Sequence, residues 1–191
     1  MSAWLLEFAA ADGLAGFLRL EVFAEARLAW FWTYLVGVPE HDGVIVVRDH
    51  DVPPPRQGLE IRAEGLWAEL VCETPGDHWT FGLEAFGVRL DAADDALRPG
   101  GEIGERVPLG LDLEWEAPEL VHGMVLVARE QWTIEAWGRF VDGHELRDDA
   151  VAGEAVASAL IPLGGGAVCA RTLVRTADGA RRWSQRIRRE P

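Results

Sequence analysis

Lysine is missing from this chain. All 18 basic residues are arginine, and against 32 acidic residues they leave a net charge of −14 over 191 residues. Phosphate binding requires a basic surface, so nucleic acid is excluded as an expected partner. An anionic membrane surface is disfavoured for the same reason. Cysteine is scarce too: Cys72 and Cys169 are the only two, and both lie in apolar runs. Such thiols are expected as small buried hydrophobes, free rather than bridged, and two alone cannot make a zinc site. The first residues lack a basic start, and Glu7 and Asp12 break their apolar stretch, so they do not read as a signal peptide. The longest uncharged run of that region, 28–39, falls short of the ~20 residues a spanning helix needs. The expectation is a cytoplasmic protein without membrane insertion.

The motifs of common chemistries are missing as well. There is no G-x-S-x-G elbow, no Walker loop and no H-E-x-x-H. Gly164, Gly165 and Gly166 fall between two apolar segments and read as a hairpin turn, not a phosphate cradle. Arg48-Asp49-His50-Asp51 reads as a solvated loop, because His50 points away from the two aspartates in an extended chain. His122 and Glu130 stand at opposite ends of one strand, too far apart to share a metal. No metal and no cofactor are expected.

What the chain does have is apolar residues, at 49%, and nine tryptophans. Its apolar pattern has period two. In Val107-Pro-Leu109-Gly-Leu111-Asp-Leu113-Glu-Trp115 every odd position is apolar, as in a strand with one buried and one wet face. The face bearing Leu109, Leu111, Leu113 and Trp115 is expected inside. Further strands are predicted at 4–8, 16–23, 28–36, 44–48, 59–62, 66–73, 79–90, 121–129, 133–141, 155–161, 168–176 and 183–188. Turn pairs punctuate them: Asp12-Gly13, Asp42-Gly43, Glu64-Gly65, Pro75-Gly76, Asp142-Gly143 and Asp178-Gly179 suit the positive φ of tight hairpins. Only 92–97 suggests a helical turn. The stretch 49–58, which holds three prolines at 53–55, reads as a loop, as does 91–104. The pattern predicts one all-β domain over 1–191, an antiparallel barrel or alternatively a β-sandwich. Seven of the arginines lie between Arg171 and Arg189 and read as a solvated strand face.

Two segments hold the candidate site residues. Trp30, Trp32 and Tyr34 share one face of a strand whose other face carries Phe31 and Leu35, so both faces should be covered. The aromatic face reads as a wall for an apolar ligand or as plain core. Farther along, His78, Thr80, Gly82, Glu84 and Phe86 share the mixed face of a second strand. A desolvated Glu84 would serve as a general acid, with His78 sharing or relaying its proton. A solvent-facing position for both is the alternative.

The order of these pieces resembles the lipocalin-like superfamily of carotenoid hydratases (hydroxyneurosporene synthases) and AttH-like proteins. The resemblance rests on Gly16-Phe17-Leu18-Arg19, the aromatic strand 30–36, Gly43 to Arg48 followed by prolines, then Glu130-Gln131, Gly138, Asp142-Gly143 and Arg147-Asp148. It covers about residues 4–148. Relatives continue from the Arg-Asp pair into His-Ser-Trp-Gly, whereas Asp149-Ala150 follows here, so no catalytic residue carries over. The resemblance implies a lipocalin-like barrel with a cavity for an isoprenoid, polyketide or steroid-like molecule. The expected function is therefore apolar-ligand binding, as a carrier or as an enzyme that cyclises, isomerises or hydrates its ligand. A non-enzymatic interaction or structural protein is the alternative.

Overall fold

A computed structural model describes residues 2–41, 43–97, 104–143 and 145–189, so Asp42 of one expected turn and part of the loop expected at 91–104 lie outside the described residues. Its first ten strands form one antiparallel sheet. They are β1 (Ser2–Ala10), β2 (Ala15–Phe23), β3 (Leu28–Val36), β4 (Val44–Val52), β5 (Leu59–Ala63), β6 (Leu66–Thr74), β7 (His78–Leu90), β8 (Glu105–Glu116), β9 (Leu120–Val127) and β10 (Glu130–Asp142). The sheet runs β4-β3-β2-β1-β10-β9-β8-β7-β6-β5. It curls until β4 meets β7, where Val44, Ile45 and Val46 pair with Leu90, Arg89 and Val88. That junction closes a barrel. The earlier part of β7 pairs instead with β6, so the β5–β6 hairpin continues the wall beside the junction.

Alternation assigns the faces. Trp79, Phe81, Leu83 and Ala85 of β7 point inward with Leu109, Leu111, Leu113 and Trp115 of β8. Leu113 is fully buried while its neighbour Asp112 is exposed, as the period-two pattern requires. Side chains occupy the interior. Phe140 of β10 sits against Trp79, Phe81 and Trp115, with ring centroids 4.5, 5.4 and 5.7 Å away.

Three more strands, β11 (Glu154–Gly164), β12 (Ala167–Arg175) and β13 (Arg181–Arg189), form a separate antiparallel sheet. Asp149 and Gln185 exchange both backbone hydrogen bonds across its edge. This sheet packs on the outer face of β1–β4. Ile161, Cys169, Leu173 and Trp183 meet Leu5, Phe17, Trp32 and Tyr34 in a second core. Hydrogen bonds pin the two layers: Trp183 Nε1 donates to the Phe8 carbonyl at 3.0 Å, and Tyr34 Oη to the Leu160 carbonyl at 3.1 Å.

A buried charge also joins the layers. Glu7 of β1 is 1% exposed and accepts from Arg171 of β12, itself 2% exposed, and from Arg139 Nε at 2.9 Å. Arg139 reaches on to Asp149 at 2.9 Å. The arginine-rich tail thus differs from a purely solvated face. Arg171 is an interior ion-pair partner, Arg181 donates to the carbonyls of Ala10 and Ala11, and Arg182 lies over Trp137 at 4.1 Å. The physical reason is that this sheet is a cover, and a guanidinium can satisfy several acceptors at a sheet junction.

Among the described residues no helix is long and apolar enough to cross a membrane. The helical turn expected at 92–97 is a 3-10 turn, Ala93–Leu97.

Candidate functional site

The aromatic strand β3 meets the barrel interior with Ala29, Phe31 and Leu35, and meets the covering sheet with Trp32 and Tyr34. Trp32 is 1% exposed and Tyr34 fully buried. Tyr34 stacks on Phe17 at 5.1 Å, and Phe17 meets the edge of Trp183. Of the three aromatic candidates Trp30 alone is half-buried. His50 stacks on Trp30 at 4.5 Å, and its Nε2 accepts a hydrogen bond from Trp32 Nε1. That bond requires a neutral imidazole with its proton on Nδ1. Burial first, and then the neighbouring Arg48, lower the His50 pKa from 6.5 to about 4, with Asp49 opposing. The string 48–51 is accordingly the end of β4 rather than a loop.

The structure does not bring Glu84 and His78 together. Both lie on the outer face of β7, six residues apart, which is about 20 Å at roughly 3.3 Å per residue. Glu84 is exposed, so the burial that a general-acid role requires is missing. His78 meets a different carboxylate, Glu114 of β8, at 2.9 Å.

Glu84 does sit in the floor of an open groove. Among the described residues no sheet covers the outer face of β6–β9. Trp67 of β6, Glu84 and Phe86 of β7, Gly110 of β8 and Leu126 of β9 line a hollow of about 620 Å3, with Arg62 at its margin. It continues into a second hollow of about 400 Å3 that shares Trp67, Glu84, Gly110 and Leu126 and reaches Met124 and Gln131. Glycine makes this shape possible: a Cβ at Gly82 would lie 2.8 Å from the Trp67 ring, so only glycine lets the indole lie across β7 there. Trp67 Nε1 donates to Glu60 at 3.0 Å, which fixes the ring. Arg106 caps the Phe86 ring at 4.4 Å. Phe86 is 51% exposed, Met124 39% and Leu126 37%, an apolar patch left open to water. Among the described residues Glu84 has neither an ion-pair nor a hydrogen-bond partner.

Sequence reasoning placed Glu84 and Phe86 on one face but missed Trp67, Met124 and Leu126. Each alternates correctly on its own strand. What the sequence withholds is that β6, β7, β8 and β9 are neighbours, which makes one patch of five scattered residues.

The two thiols differ. Cys169 is buried in the inter-sheet core, and burial pushes its pKa up to about 11 against the pull of Arg171 and Arg19. Cys72 is exposed, contrary to the expectation of a buried thiol. β5 pairs with β6 only as far as Leu70, so the end of β6 bearing Cys72 has a partner strand on one side alone.

No family model, curated protein or solved structure matches this chain.

Proposed function

We propose that this protein binds an apolar small molecule against the outer wall of its barrel, in the groove over Trp67, Glu84, Phe86 and Leu126. The observation that carries this reading is an exposed aromatic and aliphatic patch shaped into a hollow of about 620 Å3. Small-molecule sites fall at roughly 300–1,000 Å3 and combine apolar walls with a few polar groups. Contiguous exposed apolar surface of this kind marks binding sites. The barrel interior is a less suitable seat, because Phe140 and its aromatic neighbours occupy it.

The site also constrains its ligand. Glu84 is a carboxylate without a partner in an apolar floor, and the chain is strongly acidic. A neutral isoprenoid, polyketide or steroid-like body that presents a hydroxyl donor to Glu84 fits best. Catalysis is not part of the reading, since the proposed acid and its relay lie far apart on β7. The function is that of a carrier or sensor.

Titration of the full chain with Nile red, a neutral apolar dye, tests it. Saturable binding is expected, with displacement by a long-chain isoprenoid alcohol. Trp67→Ala with Phe86→Ser should weaken binding at least about tenfold, or 1.4 kcal/mol, since buried aromatics dominate such sites. Unchanged affinity in that variant, with its circular dichroism intact, would remove the groove from the function.

A further inference from the structure

A second site, separate from the groove, lies where β7 begins and the β8–β9 hairpin turns. We propose that His78, Glu114, Glu116 and His122 together bind a zinc-class divalent cation.

The register places these side chains on one outer face. His78 pairs with Glu116, and Glu114 pairs with His122. Glu114 and Glu116, two residues apart, point the same way. Their hydrogen bonds cross these pairings diagonally: His78 Nε2 lies 2.9 Å from Glu114 Oε2, and His122 Nε2 lies 3.2 Å from Glu116 Oε1. His78 and His122 stand on opposite sides of β8, and each turns its Nε2 toward a β8 carboxylate. One ligand atom each from His78, Glu114 and Glu116 lies within 4.8 Å of the others. Ligands bound about 2.0–2.2 Å from a tetrahedral zinc are separated from one another by roughly 3.4 Å. These three are thus within a small side-chain rotation of coordinating geometry, and His122, held to Glu116, has to swing across β8 to join them as the fourth ligand.

The backbone here is shaped for close approach. Gly123, next to His122, has φ +137°, and a Cβ there would lie 2.1 Å from the Asp112 carbonyl. Only glycine lets β9 press onto β8 at this point, next to the residue that reaches Glu116. On the opposite face Trp79 and Trp115 are buried in the core, so the strands that hold the ligands are anchored. Two imidazoles with two carboxylates suit zinc, and also cobalt or nickel with added water. Alkali and alkaline-earth ions prefer an all-oxygen set. A bound cation would tie β7, β8 and β9 at one rim of the barrel.

The experiment uses the full chain after chelator treatment and dialysis. Zinc is titrated calorimetrically, and cobalt by its visible ligand-field absorption. One equivalent of zinc is expected, with cobalt bands of a low-coordinate nitrogen–oxygen site that zinc displaces. His78→Gln with His122→Gln should abolish the bands and weaken zinc at least about tenfold. His50→Gln should leave both unchanged. The four side chains are partly exposed, so the variants are expected to fold, as circular dichroism will show. No saturable zinc binding by the wild-type chain, or equal binding by the double variant, would reduce the cluster to two surface histidine–glutamate contacts.

Discussion

The two halves of the barrel wall differ in how they treat their outer face. On β1–β4 it is mostly apolar, encloses the buried Glu7 and Arg19–Glu21 charges, and lies under the three-stranded sheet; on β6–β9 it is mixed and faces water. The sequences differ accordingly. β3 is apolar on both faces, because one meets the barrel interior and the other meets Trp183, Phe17 and their neighbours. β8 alternates, because only one of its faces is covered. An aromatic stripe on a doubly apolar strand therefore marks a layer interface, while apolar residues that interrupt an otherwise wet face mark a place left open. Trp32 and Tyr34 belong to the first kind; Phe86, Met124 and Leu126 belong to the second.

The largest expected effect breaks the covered half. Glu7→Ala leaves Arg171 buried without its carboxylate and should cost about 3–5 kcal/mol in urea unfolding. A loss below 1 kcal/mol would mean that the inter-layer ion pair contributes little. Next comes the shared interior. Leu113→Ala should cost about 2–5 kcal/mol, against under about 0.5 for Asp112→Ala on the outer face. Similar costs for the two would undo the face assignment.

A chemical probe sharpens the comparison. In the native protein a maleimide should label Cys72 rapidly and spare Cys169, whose burial and raised pKa both hinder thiolate formation. Denaturation should expose both thiols. Rapid native labelling of Cys169 would show that the covering sheet opens readily.

The smallest effect is one of pH. The folded state holds His50 at a pKa near 4, below its ordinary 6.5. Between those values the unfolded chain takes up a proton that the folded chain refuses. Stability should therefore be intact above about pH 6.5 and decline as pH falls toward 4. His50→Gln keeps the length of the side chain and removes this titration, so the urea midpoints of variant and wild type should converge as pH drops from 7.5 to 5. A gap that stays constant would exclude His50 as the source.

Much of the fold was legible in the sequence. The thirteen described strands fall within a few residues of where alternation and flanking turn residues placed them, with β4 running on to Val52 into a stretch read as a loop, since period two and glycine turns are local properties. Barrel closure was not. It depends on the three-residue pairing of Val44–Val46 with Val88–Leu90, which no local pattern announces. Nor could alternation say which face of β3 points inward, because both are apolar. Glu84 was found on its strand, yet its groove needed the neighbouring β6 and β9. The His78–Glu114 contact was hidden for the same reason: the long connection after β7 leaves the β7–β8 register unreadable. The Glu114–His122 pairing was closer to hand, because a short hairpin at 117–119 fixes it.

The most direct test of the groove is where a ligand touches the protein. An isoprenoid alcohol bearing a diazirine, bound to the full chain and photolysed, should attach to peptides of β6, β7 and β9 that carry Trp67, Phe86, Met124 and Leu126. Labelling confined to the peptides of β3 and β12, with β6–β9 untouched, would contradict the account and return the ligand to the aromatic seam between the layers.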